Sequence, residues 1–184
     1  MKFGYYHRLS AKQKTTYRKS DAIESVAVPD AVSLHPLVAA LEACLASGKR
    51  LGTAKAASAL VSALCAKLMA PPVQVVVRMV RPATEGAELH GLYTFAQKGT
   101  APTIEVWMKT AAHERVVRFR TFLRTLLHEV LHHLDVTVLG LDDSFHTEGF
   151  FKRESSLVRQ LLVRPRARAA PAAQKPVQLV LFDK

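Results

Sequence analysis

A chain of 184 residues has room for one respectable hydrophobic core with tails, and 49% apolar residues is the balance of a globular protein rather than a disordered one. No run approaches bilayer-spanning length, and the basic start MKFGYYHRLSAKQKTTYRKS has no apolar stretch behind it, so neither a membrane span nor a secretory signal is expected and the chain reads as cytoplasmic. The net charge of +11 gathers at the ends, with six Lys/Arg and no acid over residues 1–20 and eight Lys/Arg against two acids over 152–184. Such ends are solvated tails or arms that contact nucleic-acid phosphate, and charge alone does not choose between them.

In chain order, residues 1–34 read as a basic N-terminal arm. HPLVAALEACLAS reads as a helix that ends near Gly48. TAKAASALVSALCAKLMA reads as a second, with Thr53 a candidate N-cap and Pro71-Pro72 a stop. Cys44 and Cys65 lie inside these helical patterns as small hydrophobes, which argues against a disulfide framework or a cysteine-based zinc ribbon. VQVVVRMV, LHGLYTFAQ and TIEVWMK are β-rich, and the Lys98-Gly99 turn between the last two suggests an antiparallel sheet of about three strands. The longest helical pattern runs from about Arg115 to Val138, with Gly140 as its stop. A further helix starts at Ser144 or Thr147 and ends near Val163. The expected organisation is therefore an α+β domain over residues 35–163, a Pro/Ala/Arg-rich linker over 164–177 and a short apolar tail over 178–184.

The chemistry concentrates in TLLHEVLHHLD. His128 and His132 are four apart, so on a helix their imidazoles lie one turn apart on the same face and converge on one ion. Glu129 is turned about 100° away, which places its carboxylate beside a metal-bound water rather than on the metal. A catalytic zinc ordinarily takes a third protein ligand and leaves one position open. His146, beyond the Gly140 reversal, is the favoured third ligand. Glu148 and Glu154 are the rivals: Glu154 on a returning helix would give a two-His, one-Glu site, and Glu148 is close enough to act as an acid beside the ligands. His133 points off the ligand face and reads as a surface or supporting histidine. Asp135 either orients an imidazole or is a polar residue near the helix end. His7, His35, His90 and His113 lack ligand spacing and read as structural.

HEVLHHLD followed by FHTEGFF resembles the SprT-like zinc metallopeptidases, which include the Spartan proteases acting on DNA–protein crosslinks. His128, Glu129, His132 and His146 match the positions of that family's pattern, and Gly149 and Phe150 follow the third histidine. The similarity spans roughly residues 35–163. It departs from the family in the three-residue spacing from His146 to Gly149 and in lacking a Cys-rich ribbon. The resemblance implies a zincin-like fold, Zn2+ as cofactor, a protein or peptide substrate and Glu129 as general base. On this reading an extended substrate would pair with a sheet edge, expected at TIEVWMK.

At the far end, QLVLF resembles the peptide by which bacterial polymerases and repair proteins bind the β sliding clamp. Gln178, Leu179, Leu181 and Phe182 occupy its key positions, the apolar pair suited to a pocket and the glutamine to its rim. The competing reading is a last strand of the sheet. Together these features point to a zinc protease brought to DNA by the clamp and by its basic ends, where tethering raises effective concentration. The alternatives are a regulatory peptidase that cuts a repressor, as the similar ImmA/IrrE group does, and a non-catalytic zinc-containing DNA- or clamp-binding module.

Overall fold

A computed structural model describes residues 3–84, 87–97 and 99–162. The expected linker 164–177 and the clamp-type tail with Gln178, Leu179, Leu181 and Phe182 lie outside the described residues. The chain is α+β, a small mixed sheet with helices packed against it.

The N-terminal segment is not the free arm expected from its charge. After a 3-10 turn over Gly4–Arg8, helix α1 (Ala11–Ala22) opens on a capping box. Ser10 Oγ accepts from the Gln13 main-chain N–H at 3.2 Å, and Gln13 Oε1 accepts from the Ser10 N–H at 3.0 Å. One face of α1 buries Thr16, Tyr17 and Ser20, while Arg8, Lys12, Arg18 and Lys19 stay exposed. The segment therefore joins the domain through polar and aromatic contacts, which a hydrophobic period does not announce.

Helix α2 (His35–Ala46) ends as expected, with Gly48 at φ 69°. Helix α3 (Arg50–Lys67) begins three residues earlier than expected. Thr53 lies inside it, fully buried, and its hydroxyl donates to the Lys49 carbonyl at 3.0 Å instead of capping. These two helices bury Leu41, Leu45, Leu60 and Leu64 against the sheet and α4.

The sheet departs from the antiparallel arrangement expected. Strands β1 (Gln74–Val80), β4 (Gly91–Thr94) and β5 (Thr103–Lys109) lie in the order β1-β5-β4, with β2 (Ala83–Thr84) and β3 (Ala87–Glu88) forming a separate two-residue ladder. The turn at Gly99 does join β4 and β5 as an antiparallel hairpin, with Gly91 opposite Val106 and Thr94 opposite Thr103. β1 runs parallel to β5, Gln74 opposite Thr103 and Val80 opposite Lys109. The physical reason is that a turn signal reports only on the two strands it links, and β1 reaches β5 by a crossover. β5 is thus the centre of the sheet, with Val106, Trp107 and Met108 buried in succession because both its faces are covered. TIEVWMK is not an edge available to a peptide; β4 is an outer strand of this sheet.

Helix α4 (Phe119–Thr137) starts later than the periodicity implied. Residues just before it extend the ladder instead: Val116 bridges to Lys109, and the Val117 N–H donates to the Met108 carbonyl at 2.7 Å. Phe122, Leu123, Leu126, Leu127, Val130, Leu131 and Leu134 then bury one broad stripe of the helix. Gly140, at φ 60°, turns the chain back. Helix α5 (Glu148–Leu161) begins at an N-cap, Thr147, whose hydroxyl oxygen accepts from the Phe150 N–H at 3.0 Å. Gly149 is needed there by contact: a Cβ would sit 2.8 Å from the carbonyl carbon of Asp21, with the Ser20 and Asp21 oxygens closer still. That close approach seats the end of α1 on the start of α5.

Candidate metal centre

The helical repeat of α4 puts His128 and His132 side by side, and the turn before α5 brings His146 to meet them. Their Nε2 atoms converge, 2.9 Å between His128 and His146 and 3.1 Å between His146 and His132. All three ligand atoms lie within 4.8 Å of one another. Ligands on the tetrahedral corners of a zinc ion, with Zn–N bonds of about 2.0–2.1 Å, lie roughly 3.3 Å apart, so the cluster needs only a slight opening.

The other ring nitrogens are engaged in a way that leaves those Nε2 lone pairs free. His128 Nδ1–H donates to Glu154 Oε2 at 2.8 Å. Glu154 Oε1 accepts from Arg124 Nε–H. His132 Nδ1 lies 2.7 Å from Ser144 Oγ, and the Ser144 hydroxyl donates onward to Asp135 Oδ2, also at 2.7 Å. With Ser144 donating to the carboxylate, His132 Nδ1 carries the proton and Nε2 the lone pair. Burial pushes the His132 pKa down to about 3, helped by the charges of His128 and His146, and burial lowers His146 as well. Neutral imidazoles with lone pairs aimed at one point are the donor set that a divalent ion of borderline softness takes. The residues fit a zinc ion.

The carboxylates fall into distinct places. Glu154, weighed as a ligand, turns instead to the back of His128 and to Arg124. Glu148 is exposed and pairs with Lys152 at 3.2 Å. Asp135 reaches His132 through Ser144 rather than directly. Its other oxygen, Oδ1, accepts from Arg153 at 3.0 Å, and both side chains of this pair are wholly buried. His133 is no surface residue: its Nε2 lies 2.9 Å from the Pro71 carbonyl and its Nδ1 3.0 Å from the Tyr93 hydroxyl. It ties α4 to β4. Among the remaining histidines, His35 Nε2 meets the Gln160 carbonyl at 3.0 Å, while His90 lines the cleft.

Glu129 stands apart from the ligands, as its place in the helix requires, but lines the same cavity of about 530 Å³. It is buried beneath β4. A Cβ on Gly91 would lie 2.8 Å from both Cγ and Cδ of Glu129, so the strand comes this close only because residue 91 is glycine. Burial raises the Glu129 carboxyl to about 7, against the opposing pull of His128 and of the Tyr93 main-chain N–H. A carboxyl held near neutrality beside a cluster of metal ligands can accept and release a proton at physiological pH.

Sequence reasoning found His128, Glu129, His132 and His146, and the structure brings them around one cleft. It missed the parts around them. Gly91 carried a usable signal, a glycine inside a strand pattern. Ser144 and Arg153 carried none. Tyr5 carried none either, yet its hydroxyl donates to the His146 carbonyl at 2.8 Å. Burial, with Tyr17 and two nearby aspartates, pushes that phenol up to about 12, so it remains a donor.

No family model, curated protein or solved structure matches the chain.

Proposed function

We propose that the chain is a zinc-dependent peptidase of the SprT-like type that cleaves proteins held on DNA. The observation that carries this reading is the convergence of three histidine Nε2 atoms beside a buried carboxyl of raised pKa, under an outer strand of the sheet. His128, His132 and His146 would hold the ion, which supplies Lewis-acid polarisation of a peptide carbonyl and acidifies water. Glu129 takes a proton from the attacking water on its carboxylate and returns it to the departing amine. β4 offers main-chain groups along its outer edge to an extended substrate, the part first assigned to TIEVWMK. Leu92 and Phe95, both more than a third exposed, give that side of the cleft an apolar lip.

Recruitment to DNA is part of the same proposal. Arg8, Lys12, Arg18 and Lys19 on the outer side of the N-terminal segment supply phosphate contacts, and the QLVLF tail supplies the clamp contact. A repressor-cutting peptidase with a glutamate ligand is not favoured, because Glu154 is committed to His128 Nδ1 and Arg124. A purely structural zinc site gives no reason to bury Glu129.

The test pairs metal analysis with cleavage of a crosslinked protein–DNA substrate, with and without chelator. Wild type should bind a single zinc and cut. Glu129→Gln should keep the metal and stop cutting, and His132→Ala should lose both. Cleavage that persists undiminished in Glu129→Gln would remove the enzyme assignment. A pull-down with a bacterial sliding clamp, full chain against a chain ending before Gln178, tests the tail separately.

A further inference from the structure

Two tethers run from the N-terminal segment to the histidines, and each reaches a different one. The first is direct. Tyr5 donates its hydroxyl proton to the main-chain carbonyl of His146 at 2.8 Å, across 141 positions of sequence. Its ring stacks near Phe145, the residue before that histidine, at 6.5 Å between centroids and 29° between planes. The second is a relay. Ser20, near the end of α1, gives its main-chain carbonyl to Arg153 Nη1 at 2.6 Å and its hydroxyl to Nη2 at 2.9 Å. Arg153 holds Asp135, Asp135 holds Ser144, and Ser144 meets His132. The close packing of Gly149 on Asp21 keeps the two helices in the register this relay needs.

The two tethers do unequal work. His132 already has its place from the helical repeat, whereas His146 is exposed and sits in an irregular stretch ahead of the α5 cap. A loop ligand free to wander must be ordered when the ion arrives, and that loss of conformational freedom comes off the binding free energy. Contacts that order it beforehand raise affinity without touching the ion. On the metal-binding reading above, which this inference requires, we infer that residues 3–22 are a clamp built into the metal centre and that Tyr5 is the positioning residue for His146. The basic N-terminus is then a part of the site as well as a source of charge.

The experiment uses the full chain, stripped of metal. Zn2+ affinity is measured by competition with a chromophoric chelator, and Co2+ is added to read the d–d absorption of the loaded centre. Tyr5→Phe keeps the ring and removes only the donor; it should weaken Zn2+ binding about tenfold, as loss of a group supporting a ligand ordinarily does, and alter the Co2+ band. Ser47→Ala is the control. It too removes one hydroxyl that donates to a main-chain carbonyl, that of Cys44 at 2.7 Å, but at the exposed end of α2 and outside residues 3–22. That variant should match wild type in affinity and band. Tyr5→Phe binding as tightly as wild type with the same Co2+ spectrum overturns the clamp, and so does Ser47→Ala weakening to the same degree. Failure of the wild-type chain to bind Zn2+ stoichiometrically is a different result: it removes the metal centre on which the clamp rests.

Discussion

His128 and His132 reach the candidate metal centre by one route, and His146 by another. The first two ride on α4, whose buried leucines and phenylalanine lock the helix, and whose 3.6-residue repeat then sets the spacing of the imidazoles without further help. His146 has no repeat to rely on. It relies instead on the Thr147 cap beside it, the rings of Phe150 and Phe151 against its imidazole, and a tyrosine from the N-terminal segment on its carbonyl. Ligands on a regular element need only the element; a ligand on a loop needs partners recruited from elsewhere in the fold.

The strongest way to break this contrast is to remove the residue both halves share. Asp135 lies on α4, supports His132 through Ser144 and pairs with Arg153, which in turn binds the end of α1. Asp135→Ala leaves a guanidinium buried without its counter-ion, and breaking such a pair costs about 3–5 kcal/mol. Urea unfolding of the chelated protein should show a loss of that order, and zinc affinity should fall with it. A loss below about 1 kcal/mol would mean the pair joins the halves in geometry but not in energy.

Gly91→Ala acts on the α4 half alone. The new methyl would occupy the position of the Glu129 side chain, while the three histidines keep their surroundings. With Glu129 as the proposed base, a displacement of about an ångström costs on the order of a hundredfold in rate, so turnover should drop by that much with zinc stoichiometry unchanged. Loss of zinc in this variant would show that β4 also supports the ligands, and would blur the distinction between base and metal. Ser144→Ala is next in size. It cuts His132 from Asp135 and should weaken zinc by no more than about tenfold, the low end for a group supporting a ligand, read by chelator competition. Its effect should exceed none of the foregoing, because the helix still places the imidazole.

The same contrast explains what was legible beforehand. The placing of His128, His132 and Glu129 and the long helix follow from spacing within a few residues, and the approach of His146 was expected only from a resemblance. The direction of β1 was not legible, since no local turn links it to β5. The late start of α4 was hidden because Val116 and Val117 suit a helix face as well as the ladder they extend. Nor could the attachment of α1 be read: Ser20 meets Arg153 in a buried polar contact while Tyr17 is buried among other aromatic rings, and polar residues on a basic segment look solvated until their partners are known. The relay through Ser144 joins residues nine and twelve positions apart with no period to mark them.

The smallest effect tests the electrostatics of the two neighbours His132 and Glu129 in the metal-free protein. The folded pKa of His132 is about 3 against an ordinary 6.5, so below pH 6.5 the unfolded chain takes up a proton that the folded one refuses. Its contribution to stability is therefore present above 6.5 and lost as pH falls toward 3. Glu129 has the opposite sign. Its folded pKa is about 7 against an ordinary 4.5, so its contribution is complete below 4.5 and lost as pH rises through 7. Between 4.5 and 6.5 the two oppose each other. Glu129→Gln removes one of them and leaves the histidine side uncompensated, with His133 and His146, also lowered by burial, acting in the same sense as His132. Thermal melting in chelator across that window should then fall more steeply with acidification in the variant than in wild type. Parallel curves would mean that Glu129 titrates like an ordinary surface carboxylate, and that burial under Gly91 does not prepare it to carry a proton.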